Sequence, residues 1–364
     1  MINTYKKYLF KKFSKKLFLI SIIFFILVLI INLIEESSFL KESETSFATP
    51  ILLTILNGPS LLYEMFPFIF LVSTQFFFID IYENKEIETL RLFGINNFSL
   101  LRFLTITSLI FGFLIIFVFY NFSSILKNEY IKIKNSFADD KKYLAVITKN
   151  GIWIKDTSFK ETIIINADLI VDEFLVDTSI TFLDDNFEIK KNIIAEKINI
   201  KNKNWVLHKA IVTNPNNFSK EHEKIMLKSN FDLERINNLF SDLSSLTFLE
   251  LLKLEKDYRA IGYSTDEIEI QKHRFYSLPF LLCIMTVIGT IIMIYNKFKK
   301  NLLLNLFIGI FFSVLIYYLG HFSSLLGENG RLPLILSVWF PILILSTISV
   351  IGVIKLNEKY FFKI

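Results

Sequence analysis

The 364-residue chain is 52% hydrophobic and carries a net charge of +5, with a mean hydropathy of +0.47. That exceeds the roughly 45–50% apolar content of ordinary soluble domains and excludes one compact soluble body. The single cysteine, Cys283, lies inside an apolar run, so an intrachain disulfide is excluded as well.

Six segments meet the requirement of about 20 mostly apolar residues for a membrane-spanning helix. They are Leu17–Ile34, Ile51–Ile79, Leu100–Phe122, Phe275–Tyr295, Leu302–Leu319 and Leu332–Ile354. The first follows six lysines but has no small-residue cleavage site after it, so it reads as a retained anchor and not a signal peptide. Basic residues in short loops set orientation. Lys6, Lys7, Lys11, Lys12, Lys15, Lys16, Lys85, Arg91, Arg102, Lys297, Lys299, Lys300, Lys355, Lys359 and Lys363 all fall on one side if six spans alternate, against Lys41 and Arg331 on the other. Both termini and the loop after the second span are therefore expected in the cytoplasm, and the large central segment outside it.

In the second span Pro59 and Pro67 flank Glu64. The prolines predict a break or kink, because each removes a helical hydrogen bond. An acid in a span is a functional candidate by default; a place near the outer interface is the plainer account.

Between spans two and three lies ENKEIETLRLFGI, residues 83–95. Ile87, Leu90 and Arg91 share one helical face that Gly94 continues, and Phe93 lies beside Leu90. Glu83, Glu86 and Glu88 make the remainder acidic. Gly94 is placed to end the helix. Isolated helices below about 12–15 residues are marginal in water, so this one must dock. Helices that lie on membranes usually carry a basic polar face; this acidic one suits a protein groove better. The pattern is that of a coupling helix, about residues 82–94, meeting a separate ATPase.

Residues 127–274 form the extramembrane part, between a membrane block over 1–126 and another over 275–364. Period-two alternation marks strands. In EFLVDTSITFLDD, Phe174, Val176, Thr178, Ile180 and Phe182 should share one face, with Leu175, Asp177, Ser179, Thr181 and Leu183 on the other. Asn150-Gly151, Asp184-Asp185-Asn186 and Asn202-Lys203-Asn204 are turn signals. The expectation is an antiparallel sandwich or jelly roll, with either an ordinary core or an interior that holds an acyl chain. Thr247-x-x-Glu250 is a capping box opening a helix that Gly262 is placed to end, and Ser264-x-x-Glu267 starts another running toward span four.

Catalytic and cofactor signatures are missing. His208, His222, His273 and His321 have no zinc-site spacing, no GxSxG elbow occurs, and no glycine opens a GxxxxGK[ST] phosphate loop. The chain is expected to be no enzyme, to hold no metal or cofactor itself, and to bind no nucleic acid. A membrane enzyme acting on envelope lipids would need polar residues clustered at one depth, and the spans lack them.

KEIETLRLFGI (85–95) resembles the loop helix of the lipopolysaccharide export permeases, the LptF/LptG family. NGPSLLYEMFPFIFLVSTQFF (57–77) is similar to that family's second span, and three spans, a β-rich insert and three spans is its order. GIWIKD (151–156), IIAEKINIKNKNWVLHKAIV (193–212) and the helical return over 246–280 resemble the LptG type more than its LptF-type pair. The resemblance implies a polytopic inner-membrane α-helical protein with a periplasmic antiparallel β-jellyroll-like domain between spans three and four. It implies a heterodimer with an LptF-like permease, a dimeric LptB-like ATPase that binds ATP and Mg, LptC/LptA-like bridge proteins, and lipopolysaccharide as cargo. Glu86 matches the family's coupling-helix acid and Gly94 its terminal glycine; Glu86 is then expected to meet a basic residue of the ATPase while Ile87, Leu90 and Phe93 fill its groove.

Spans one and five wall the family's cavity, which points to Asn32, Glu35 and Glu36, and to Phe311, Phe312, Val314, Leu315, Tyr317, Tyr318 and His321. The family often places basic residues near the end of span one; here that end is acidic and the first nearby cation is Lys41. The alternatives are the LptF-type subunit and another ABC-type envelope-lipid or lipoprotein permease, although lipoprotein releasers usually carry their outer domain after span one. A structural or regulatory membrane protein without transport is the remaining class.

Overall fold

A computed structural model of the chain describes residues 2–40, 46, 48–137, 152–158, 161–171, 173–184, 188–214, 219–233, 236, 242–260, 264–294 and 302–361. The chain divides into two compact units, Met1–Tyr130 with Asp266–Ile364, and Ile131–Thr265.

The first unit is helical. Its elements are α1 (Ile2–Phe39), α2 (Ala48–Glu83), α3 (Glu86–Leu92), α4 (Asn97–Leu114), a π-helical turn (Ile115–Tyr120) and α5 (Asn121–Ser136), which crosses the unit boundary. After the insert come α7 (Asp266–Ile294), α8 (Leu302–Glu328) and α9 (Leu334–Phe361). Six helices are long and apolar enough to cross a membrane, the third running from α4 through the π turn into α5. At about 1.5 Å per residue, the 38 residues of α1 outreach a hydrocarbon core of roughly 30 Å.

The helix α2 runs unbroken through Pro59 and Pro67. The predicted break does not occur: neighbouring helices in a membrane can satisfy the carbonyls that a proline frees, and α2 lies in the middle of the bundle against α1, α7 and α8. The helix α7 is the other central element, packing on α2, α4, α8 and α9. Close approach depends on small residues, as usual between membrane helices. A Cβ on Gly112 of α4 would lie 2.8 Å from Pro279 Cα on α7, and one on Gly289 of α7 would lie 3.0 Å from the Leu71 carbonyl of α2. Some polar side chains inside the bundle pair with each other or with backbone. Ser108 and Thr286 hydroxyls are 2.8 Å apart, and Gln75 Nε2 donates to the Asn305 carbonyl at 2.6 Å.

The inserted unit contains strands β1 (Ile152–Ser158), β2 (Glu161–Val171), β3 (Phe174–Leu183), β4 (Ile189–Asn199), β5 (Asn204–Thr213) and β6 (Ser219–Lys228). All pairings are antiparallel and the order is β1-β2-β3-β4-β5-β6. The described strands thus form one meander in which each strand pairs with its sequence neighbour. The Asn202-Lys203-Asn204 turn joins β4 to β5; Asn150-Gly151 and Gly262 lie outside the described residues. The capping box is formed: Glu250 accepts from Thr247 N and Oγ1, both at 2.8 Å, ahead of α6 (Phe248–Ala260).

The face assignment for β3 is corrected. Leu175 is buried, and so are Thr178, Ile180 and Phe182, so the alternation slips by one residue. The cause is Asp177, whose φ of 48° turns the chain so that the side chains after it change parity. Lys209 on β5 has a φ of 49° at the same level, and the slip recurs between Ala195 and Ile198 and between Leu207 and Ala210. Beside this row Ala167, Thr178, Ala195 and Ala210 are paired across four strands and buried. Small side chains thus line the row next to the two residues of positive φ.

Buried Asp156 of β1 ties down the segment after β6. It accepts from Ser229 Oγ at 2.8 Å, Asn230 N at 3.1 Å and Asn230 Nδ2 at 2.8 Å. Trp205 Nε1 donates to the Phe231 carbonyl at 2.8 Å beside it.

Candidate functional site

The helix α3 is seven residues long and is held at both ends by backbone geometry. Lys85 precedes it with a φ of 55° and makes no side-chain cap. At its far end Gly94 has a φ of 76°, with open space around the position of a Cβ. Gly94 N donates to the Arg91 carbonyl at 2.9 Å and Ile95 N to the Leu90 carbonyl at 3.0 Å. This is a Schellman motif, which requires a left-handed residue and so favours glycine. Asn96 then caps α4 by accepting from Ser99 N at 2.8 Å.

One face of α3 is locked into its own chain. Ile87 and Leu90 are buried in a cluster with Leu9 and Phe13 of α1, Phe77, Phe78 and Ile81 of α2, Leu100 and Leu104 of α4, and Met293 and Ile294 of α7. Burial of such side chains contributes roughly 1.5–3 kcal/mol each, enough to hold a helix too short to persist alone. The expectation that Ile87 and Leu90 enter a partner's groove is therefore corrected: their i, i+3 spacing describes an apolar face, and this bundle already covers it. The opposite surface carries Leu92 and Phe93, which are 87% and 73% exposed, with Arg91 and Gly94 exposed beside them. Leu92 is absent from the sequence reading because it lies off the Ile87–Leu90 stripe.

Glu86 also turns inward. Its Oε1 accepts from Tyr8 OH at 2.8 Å and its Oε2 from Lys12 Nζ at 2.6 Å, both on α1. The same Lys12 ammonium lies 3.0 Å from Asp80 of α2, and Lys16 lies 3.3 Å from the other Asp80 oxygen. Tyr8, Lys12 and Lys16 are spaced i, i+4, i+8 on one helical stripe. In the sequence they register only as orientation charges and an aromatic; their partners are more than 60 residues away.

The residues at the far end of α1 are separated from one another. Asn32 is buried and accepts from Asn57 Nδ2 of α2 at 3.2 Å. Glu36 is buried and accepts from Tyr130 OH at 2.7 Å. Glu35 is exposed. On α8, Phe311, Phe312, Val314, Leu315, Tyr317, Tyr318 and His321 are all exposed, while Asn305, Ser313 and Ile316 face inward. Tyr317 is the junction: it lies 5.9 Å from Phe68 of α2 and stacks on His321 at 6.1 Å. Glu64 is exposed on α2, one turn before Phe68 on the same face. The outer surface of α1 is a continuous apolar strip through Phe18, Ile22, Ile26, Ile30 and Ile34. Among the described residues no group of His, Cys, Asp and Glu could hold a metal ion.

These features leave exposed an apolar tip at α3, an apolar outer strip on α1 and an apolar and aromatic face on α8. A family model described as lipopolysaccharide export system permease LptF/LptG matches residues 7–355. No curated protein matches the chain.

Proposed function

The chain belongs to the LptF/LptG family of lipopolysaccharide export permeases, and from that premise we propose that it is the LptG-type half of an ATP-driven exporter. It pairs with an LptF-like permease. A dimeric LptB-like ATPase binds ATP and Mg and docks at α3, which with both termini faces the cytoplasm. Lipopolysaccharide enters from the inner membrane along the exposed faces of α1 and α8. Closure driven by ATP pushes it toward the periplasmic sheet, which hands it to LptC/LptA-like bridge proteins.

The observation that supports this most is the tip of α3. Two adjacent large apolar side chains stand exposed at the end of a helix whose other face is fixed by nine buried apolar residues of four other helices and a salt bridge. A surface of this kind is an anchor for a protein groove, because aromatic and aliphatic side chains at an interface centre dominate binding energy. Force applied there reaches α1, α2 and α4 through packed side chains. The α1 and α8 faces suit acyl chains: they are apolar along the spans, with Tyr317, Tyr318 and His321 at one level to meet a headgroup.

The test is photocrosslinking in living cells from Ile31, Phe311 and Tyr318, with blotting for lipopolysaccharide. Crosslinks at these positions that weaken at Leu104 and Met285, which lie inside the bundle, are expected. Labelling only by phospholipid contradicts the proposed cargo path. Identification of the paired permease by pull-down separates the LptG-type from the LptF-type assignment.

A further inference from the structure

We propose that Lys12 is a positioning residue that makes α1 move with α3, so that a displacement of the docking helix is delivered to α1 and not only to α2. This rests on the proposed docking of an ATPase at α3. The covalent path from α3 leads directly to α2 and α4, and α1 joins it only through α2. Leu9 and Phe13 give α1 apolar contact with the α3 cluster, and the Lys12 ammonium adds a directed tie that such packing lacks. It is 2.6 Å from Glu86 on α3 and 3.0 Å from Asp80 on α2, and its side chain is only 10% exposed. Tyr8 supplies a second tie to Glu86 at 2.8 Å and Lys16 a second tie to Asp80 at 3.3 Å. One cation on α1 thus bridges acids on two other helices.

Packing around α1 makes this tie consequential. The helix rests chiefly on α2, and its outer strip of isoleucines is exposed. A helix held along one side can rock about that line. At its far end the Asn57–Asn32 hydrogen bond and the Tyr130–Glu36 hydrogen bond hold it again. Polar contacts between membrane helices are modest individually, so these far-end ties can be exchanged during a cycle without unfolding the bundle. The α3-end cluster is the strongest set, because its hydrogen bonds are charge-assisted and shared.

The experiment uses the whole complex, with both permeases and the ATPase, in proteoliposomes. It reads lipopolysaccharide moved per ATP hydrolysed. Lys12→Met should lower this ratio about tenfold, within the usual range of coupling energies, and Lys12→Arg should restore most of it, since a guanidinium can still span both acids. A spin-label pair on α1 and α3 should hold one separation through the nucleotide cycle in the unaltered protein and show two separations in Lys12→Met. An unchanged ratio in Lys12→Met overturns the inference. If Lys12→Met does not assemble, Lys12→Gln keeps a polar group beside the acids but is uncharged and too short to span both, and an unchanged ratio there overturns it equally. Failure of the proposed function looks different: the unaltered complex then hydrolyses ATP without moving lipid, or holds no ATPase at all.

Discussion

The two ends of α1 sit in different surroundings, and the contrast shows how the bundle divides its work. At the α3 end, α1 presents Tyr8, Lys12 and Lys16 to acids on α2 and α3, and Leu9 and Phe13 to an apolar cluster shared by four other helices. Along the membrane it presents isoleucines and leucines outward. The first region is specified by partners inside the chain. The second, like the exposed face of α8, is specified by what lies outside it. Where side chains are tied inside the molecule, substitutions should change coupling; where they are not, single substitutions should change little.

The largest effect is expected for Glu86→Lys. It places a cation against Lys12 and removes charge-assisted contacts worth about 1.5–3 kcal/mol each. Export in a complementation assay should be abolished while membrane insertion and chain abundance persist. Normal export in that variant would break the contrast at its strongest point.

Next comes the tip of α3. Changing Leu92 and Phe93 together to serine leaves the inward contacts of Ile87 and Leu90 in place. It should weaken ATPase co-purification by about thirtyfold or more, since interface anchors of this type contribute ~2 kcal/mol or more. Undiminished co-purification would move the docking surface elsewhere.

On the outer face of α8, Phe311→Ala should leave the thermal stability of the detergent-solubilised chain within about 0.5 kcal/mol, the usual range for exposed positions. A larger loss would mean that the aromatic face packs inside the chain.

The smallest effect concerns the sheet. Lys209 Nζ lies 2.6 Å from Glu196; its hydrogen bond and charge hold the Glu196 carboxyl below its ordinary value, and Glu196 raises that of Lys209. The stabilisation from a depressed acid is present above the acid's unfolded pKa and lost as pH falls through the folded one. That from a raised lysine is present below its unfolded pKa and lost as pH rises through the folded one. Both windows lie outside about pH 5–9. Both side chains are exposed, so the unfolding midpoint in Glu196→Gln should track the unaltered protein across that range. A pH-dependent difference inside it would show that this row of the sheet carries more than a surface ion pair.

Much of this architecture is legible in the residues. Six apolar runs become six long helices because length and hydropathy alone decide whether a segment can cross a membrane. The strands of the insert follow from alternation, and the end of α3 from Gly94, whose left-handed backbone few other residues adopt easily. What local pattern does not contain is the identity of a partner. Ile87 and Leu90 mark an apolar face whether it meets a foreign groove or Phe77 and Phe13. Glu86 reads as an acid for an outside base because Lys12 is 74 residues away. Pro59 and Pro67 suggest a break that tertiary packing suppresses. The slip at Asp177 is invisible because a positive φ at an aspartate depends on the strands beside it.

The most direct test of ATPase coupling at α3 is a photoreactive residue in place of Phe93, activated in living cells. One dominant adduct is expected, with a nucleotide-hydrolysing subunit, and its yield should fall when Leu92 is changed to serine. Adducts with lipid alone, or with a periplasmic protein, would contradict it.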